Sequence, residues 1–433
     1  MRVLDNELVK KEKYTMKILW CVNILLPDAA KAIGAPQTPF GGWMVSLSSA
    51  LAKTDGIKLA VAALYSGSEL KKLEVSNITY YLIPGGTKAM LERGGVRLRG
   101  FWREVANDFQ PDLLHLHGTE YAHGLVLIEA CPEIPSVVSI QGLLGVYEKY
   151  YYAGIEFSDV FLRPSFRDII RLDPLWNNRR TFRKRALFER EILCKVSHVI
   201  GRTTWDYSNV KAVNPSINYH HCDESLRTPF YESQWDIDKI ERHSIFTTQA
   251  NYPIKGFHVL LKAIAIVKRE YPDVRVYTAG HNLWGSSFLE RLKTPGYGLY
   301  IRRLIKQLGL ESNIIFTGIL DVQGVVDRLA KTHLFVVPSA VENGCNALHE
   351  AMILGVPSIA AFSGGMTDMM VHMQNGFMYP FMEEAMLAEY IRRIFSSDEL
   401  AGKFSVAGKT SASMRHDRKK IADMMIDIYR DIL

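Results

Sequence analysis

From Leu334 to Phe362 the chain writes out one strand, one loop, one helix and a second strand with almost no spare residues. The apolar run Leu334 to Val337 stops at Pro338, and a run of that length before a turn reads as a buried parallel strand. Small and polar residues from Ser339 to Asn346 read as a loop. Asn346 to Leu354 favour helix, and Gly355 followed by Pro357 stops it. Ser358 to Phe362 is the next strand, ending at Gly364-Gly365. Two strands joined through a helix belong to a parallel sheet, and this excludes hairpin-built folds for this part of the chain.

The chemistry of the unit follows from where its helix begins. A helix at the carboxyl end of a strand presents N–H groups without partners, and its dipole makes that end weakly positive, which suits a phosphate. In the loop Asn343-Gly344-Cys345-Asn346, Gly344 lets backbone approach a ligand closely. Glu342 and Glu350 flank it with seven residues between them. Glu350 lies about one turn inside the helix and can accept hydrogen bonds from a sugar diol beside a bound phosphate. Glu342, on the loop, faces the other end of such a ligand.

This stretch resembles the signature of retaining glycosyltransferases of family 4: two glutamates at that spacing, then Glu350-Ala-Met, Leu354-Gly-Val-Pro and a Gly-Gly turn. The resemblance implies that Glu350 binds the nucleotide ribose and Glu342 approaches the donor sugar. It also implies a GT-B fold, α/β, with two Rossmann-like doubly wound parallel-sheet domains facing a cleft.

The rest of the chain is compatible with that architecture. A length of 433 residues suggests two domains. The first half supplies candidate strands at Ile18–Val22, Leu59–Leu64, Thr79–Ile83, Leu113–Leu116, Ser136–Ile140, His198–Gly201 and Ile217–His220. Helices are expected at Trp43–Lys53, Gly94–Phe109, Gly124–Cys131 and Phe182–Cys194. The second half restarts the pattern at Ser244–Thr248, Val274–Ala279, Ile314–Thr317, Leu334–Val337 and Ser358–Phe362. Periodicity fades from His220 to Lys239, which places a hinge there. The expected division is a disordered extension over 1–15, an acceptor-binding domain over 16–222 and a nucleotide-sugar-binding domain over 223–414. The helix 415–433 is expected to pack back on the first domain.

Further candidates lie at strand ends. Gly41-Gly42 precedes a helix and leaves unobstructed backbone at its N-terminus, facing the interdomain cleft, and the resemblance implies that a glycine pair here lies near the donor phosphates. His117 and His115 share one side of their strand, and His117 sits at its carboxyl end, where open α/β sheets bind ligands. There it can exchange a proton with a sugar hydroxyl. The resemblance implies a histidine at this point touching the transferred sugar, and His117 is favoured over His115. Gln141 ends the next strand where many relatives carry histidine. Glutamine can position an acceptor but cannot act as a base. Tyr121 joins Gln141 as a candidate acceptor-binding residue. Arg202, also at a strand end, can meet a phosphate or pair with Asp206.

In the second half, Lys255 precedes Gly256 and an apolar helix, so its ammonium can reach anionic oxygens at the helix start. The resemblance gives this lysine the donor diphosphate. Gln249 stands where relatives often have arginine, which leaves Lys255 most of the charge. Backbone at Gly318-Ile319 is implied to meet the nucleobase. His220-His221-Cys222 invites a metal reading, but adjacent residues on an extended chain point to opposite faces, and no metal or other cofactor is expected.

Charge is uneven along the chain. Nine basic residues against three acids between Arg163 and Arg190 equal the chain's whole net charge of +6. Apolar residues such as Phe166, Ile169, Ile170 and Trp176 are interleaved with them. This mixture suits an anionic membrane surface or the diphosphate of a lipid carrier, and equally a solvated helical face over core side chains. No nucleic-acid motif accompanies it. Five scattered cysteines, no signal-peptide core and no long apolar run fit a cytoplasmic protein, and contact of the Arg163–Arg190 window with an anionic membrane would place it at the inner face of the cell membrane.

The resulting expectation is a metal-independent retaining transferase that moves sugar from a nucleotide-diphosphate sugar to a glycan or lipid-linked acceptor, in a setting of cell-envelope polysaccharide synthesis. A sugar-nucleotide epimerase of the same fold, or an inactive sugar-nucleotide-binding protein, is the alternative.

Overall fold

The computed structural model describes residues 15–36, 41–91, 96–161, 163–171, 174–280 and 294–433. The extension expected over 1–15, all but its last residue, lies outside the described residues, as do Gly94, Leu172 and Asp173.

Two doubly wound α/β domains are present. The first sheet contains β1 (Met16–Val22), β2 (Ile57–Tyr65), β3 (Lys71–Val75), β4 (Ile78–Pro84), β5 (Leu113–His117), β6 (Ser136–Ser139), β7 (His198–Gly201) and β8 (Asn218–His221). Their order is β3-β4-β2-β1-β5-β6-β7-β8. All pairs are parallel except β3 with β4. The second sheet is parallel throughout. It contains β9 (Glu241–Thr247), β10 (Arg275–Ala279), β11 (Ile314–Gly318), β12 (Thr332–Val337), β13 (Ser358–Phe362) and β14 (Phe377–Pro380), in the order β11-β10-β9-β12-β13-β14.

The orders decide where ligands can sit. Chain direction across each sheet reverses at one point, between β1 and β5 in the first and between β9 and β12 in the second. Loops leaving the strands at such a point diverge and open a crevice. The loops after β9 and β12 carry Lys255 and Glu342. Topology therefore aims two residues far apart in sequence at one place.

Central strands read as continuous apolar runs because helices cover both faces. Every residue of β12 is buried. Strand β3, Lys-Lys-Leu-Glu-Val, was not expected: it is an antiparallel edge strand facing solvent, and its polar composition masks it. The helix expected at Phe182–Cys194 begins earlier and spans Leu175–Lys195.

The last helix, Arg418–Ile432, returns to the first domain and buries Ile421, Met425 and Tyr429 in its core. Tyr429 hydroxyl accepts from Trp20 Nε1 at 2.9 Å and lies 2.6 Å from His115 Nδ1. A second tie runs through residues after β6. Tyr151, Ile155 and Val160 pack in the core of the second domain. Asp168 accepts from the Gly296 N–H at 2.8 Å, at the start of helix Gly296–Gln307.

Candidate functional site

Between the domains lies a cavity of about 700 Å³. Gly41, Gly42, Gln141, Arg202, Lys255, Ile319, Glu342, Gly344, Cys345, Asn346 and Glu350 all line it. Its size is that of an ordinary small-molecule site.

On the second-domain side, Lys255 Nζ donates to Glu342 Oε1 at 2.6 Å, and Ser339 Oγ donates to the same oxygen at 2.7 Å. Burial alone would lower the Lys255 ammonium. The adjacent Glu342 carboxylate more than offsets this and holds it well above its ordinary value. Glu350 is buried on helix Asn346–Leu354, and both its oxygens accept from Arg227, through Nε and Nη2 at 2.7 Å each. Burial raises the Glu350 carboxyl, and Arg227 opposes that.

The first-domain side is organised by Glu224, which the sequence did not single out. It pairs with the Arg202 guanidinium. It also accepts from Gln141 Nε2 at 2.9 Å and from Asn346 Nδ2 at 2.7 Å. One carboxylate from the hinge thus ties both domains together.

Residues 231–411 match the family model described as glycosyl transferases group 1. The second domain is a glycosyl transferases group 1 domain. An uncharacterized glycosyltransferase, YqgM, from Bacillus subtilis (strain 168) is 24% identical over 193 residues, covering 45% of this chain and 50% of that protein. The chain thus matches about half the length of that relative. Sucrose-phosphate synthase from Thermosynechococcus elongatus superposes with a TM-score of 0.72 at 16% identity, covering 96% of this chain and 99% of that one. HepE from Anabaena, solved in complex with UDP-glucose, superposes at 0.66 with 18% identity, covering 96% and 100%. The fold is GT-B.

Within the group 1 domain the signature loop divides its labour. Asn343 turns away from the cavity: its side-chain oxygen accepts from Thr203 Oγ1 at 2.8 Å, and its N–H donates to the Tyr147 hydroxyl at 3.1 Å. At Gly344 a methyl group would stand 2.1 Å from Arg202 Nε, so this glycine makes room for an arginine of the other domain. Burial pushes the Cys345 thiol up to about 12, which leaves it a small apolar side chain. Gly318 ends β11 with φ +79°, and Ile319 beyond it is exposed at the cavity rim.

In the first domain the structure corrects the Arg202 reading. Asp206 does not pair with its guanidinium. It takes the Arg202 N–H at 3.0 Å and closes a capping box with Thr203 on helix Thr204–Val213. The side chain is left to Glu224. His117 is buried beside the cavity, against a void of about 20 Å³ that it shares with Gln141 and Arg202, enough for one water. Neither of its ring nitrogens has a partner among the described residues, and burial lowers its pKa to about 3, so it is neutral at physiological pH. His115 instead is held by Tyr429 and by Ser139 Oγ at 2.7 Å. Tyr121 does not reach the cavity; its ring lies 4.3 Å from the Arg185 guanidinium.

The three residues of the metal reading separate. His220 meets His198 at 3.0 Å, His221 faces Asp223 at 3.2 Å, and Cys222 is buried. In the basic window, Phe166, Ile169, Ile170, Trp176 and Leu187 are exposed, so at these positions the apolar residues are not core.

Sequence reading also missed Arg227 and Tyr147. Arg227 stands in the hinge, and its stem lies where a side chain on Gly42 would be, 2.3 Å from that position. No periodic pattern marks either residue.

Proposed function

We propose that this protein is a glycosyltransferase that moves a sugar from a nucleotide-diphosphate sugar in the second domain to a glycan or lipid-linked acceptor in the first. The reading includes family 4 membership, retention of anomeric configuration and no metal requirement. One observation carries it: Lys255, Glu342 and Glu350 line a single interdomain cavity of about 700 Å³. HepE, a neighbour of the same fold, is solved with UDP-glucose, which supports a sugar nucleotide as the ligand.

In this mechanism Lys255 and the start of helix Asn346–Leu354 stabilise the departing diphosphate. The bond from the anomeric carbon to the phosphate oxygen breaks, and the bond to the acceptor oxygen forms on the same face. The acceptor proton passes to the leaving phosphate. Glu342 orients the donor sugar, Glu350 the ribose, and neutral His117 a sugar hydroxyl. Closure of the domains excludes water and so limits hydrolysis.

The exposed Phe166, Ile169, Ile170 and Trp176 among the arginines of the same window support contact with an anionic membrane, where a lipid-linked acceptor of surface-polysaccharide synthesis resides. Among the described residues no helix is long and apolar enough to cross a membrane.

Thermal unfolding against UDP-, GDP- and ADP-sugars tests the reading. A ligand at a hundred times its dissociation constant adds about 2.7 kcal/mol. Stabilisation by one of them, followed by transfer with the anomer retained, is expected. Isomerised donor in the absence of any acceptor would replace this reading with an epimerase.

A further inference from the structure

Among the described residues, five charged ones line the interdomain cavity: the cations Arg202, Arg227 and Lys255, and the carboxylates Glu342 and Glu350. The diphosphate of a nucleotide sugar brings about two negative charges of its own. Lys255 is already paired with Glu342. Arg202 is paired with Glu224 and is the most enclosed of the three, its side chain 7% exposed against 19% for Arg227. Arg227 reaches Glu350 through Nε and Nη2 only, so Nη1 is not committed to that pair.

Its placement is built rather than incidental. The Arg227 stem passes over Gly42, where a methyl group would come within 2.3 Å of Cγ and 2.5 Å of Cδ. The guanidinium stacks 4.7 Å from the Phe230 ring, which is fully buried. Gly42 thus packs against the stem and Phe230 against the guanidinium, which holds the arginine at the cavity wall. A bidentate carboxylate oxygen retains a second lone pair, so Glu350 can take a diol while Arg227 stays bound.

We propose that Arg227 is a donor-binding residue: it holds Glu350 in position for the ribose and offers its remaining N–H groups to the adjoining diphosphate. Each of the two cations is paired with one carboxylate, and what Arg227 adds to Lys255 is the set of N–H donors that Glu350 does not engage. This inference rests on the nucleotide-sugar reading above.

Calorimetric binding of UDP, UMP and uridine tests it, with the guanosine and adenosine series run alongside. The proteins are wild type, R227K, R227Q, E350Q and the double variant R227Q/E350Q, whose amides replace the ion pair without leaving a buried charge. In R227Q, diphosphate affinity is expected to fall at least tenfold, with a clearly smaller loss for the monophosphate and nucleoside. The same selective loss is expected between E350Q and the double variant, and R227K should recover part of it. An equal loss for nucleoside and diphosphate, or its disappearance in the E350Q background, would reduce Arg227 to a support for Glu350 and overturn the proposal. Tighter diphosphate binding by R227Q would overturn it too, by showing that Arg227 blocks the site. Wild-type protein that binds none of the three diphosphates defeats the nucleotide-sugar reading itself, a result distinct from failure of the arginine variants.

Discussion

Lys255 Nζ and Glu342 Oε1 lie 2.6 Å apart, and they come from loops on neighbouring strands of one parallel sheet. The pair is mostly enclosed, with side chains 20% and 10% exposed. Removing one partner therefore leaves a charge in poor solvent. Lys255→Met is expected to cost roughly 3 kcal/mol of stability, read by urea unfolding, and to abolish donor binding. Wild-type stability in this variant would show that the pair is not enclosed in solution.

Glu342 and Glu350 meet different neighbours and are expected to fail differently. Glu350→Ala leaves Arg227 unpaired and should weaken nucleotide binding tenfold or more. Glu342→Ala should leave nucleotide affinity within a few-fold and reduce the transfer rate by about two to three orders of magnitude, the range seen when one stabilising group is lost. Paired calorimetry and steady-state rates check this; the reverse pattern refutes the roles.

Tyr429 anchors the last helix through one hydroxyl shared by Trp20 and His115. Tyr429→Phe keeps the ring and strands buried polar nitrogens in the first-domain core. A loss of about 2 kcal/mol is expected, since each unsatisfied group costs roughly 1–3 kcal/mol. Little change on denaturant unfolding would show that water reaches this site.

Acid should destabilise the protein well above the carboxylate range. Burial lowers His117 to about 3, and His123, His258, His333 and His416 to about 4. The unfolded chain takes up these protons near pH 6.5 while the folded chain does not. Stability from each ring is thus complete above about 6.5 and is lost as pH falls toward 4. Each contributes up to about 2 kcal/mol between pH 6.5 and 5. Glu189, raised by burial to about 7, acts oppositely over that interval but is outnumbered. Unfolding free energies at pH 7, 6 and 5 should fall steadily, and His416→Asn should flatten the slope by one ring's share. A flat profile for the wild type refutes the neutral-histidine core.

The core of the site was legible because its residues sit at strand ends. Lys255 precedes Gly256 and an apolar helix, and Glu342 and Glu350 bracket a strand–loop–helix turn. Such signals are local, since hydrophobic period and glycine placement reflect neighbours within a few residues. Arg202 lies beyond the reach of such local signals. Its nearest carboxylate in sequence, Asp206, was taken by a helix cap, and its partner proved to be Glu224 in the hinge.

The sequence by itself determined the parallel α/β class, most strands, and the edge on which Lys255, Glu342 and Glu350 lie, because alternation of apolar runs with helices admits few other folds. Only the tertiary structure decided which charges meet. Arg227 and Glu350 are 123 residues apart, and Asn343 and Tyr147 are 196 apart. Contacts of that kind depend on how two domains close over a hinge, and chain closure over such distances leaves no periodic trace in either segment.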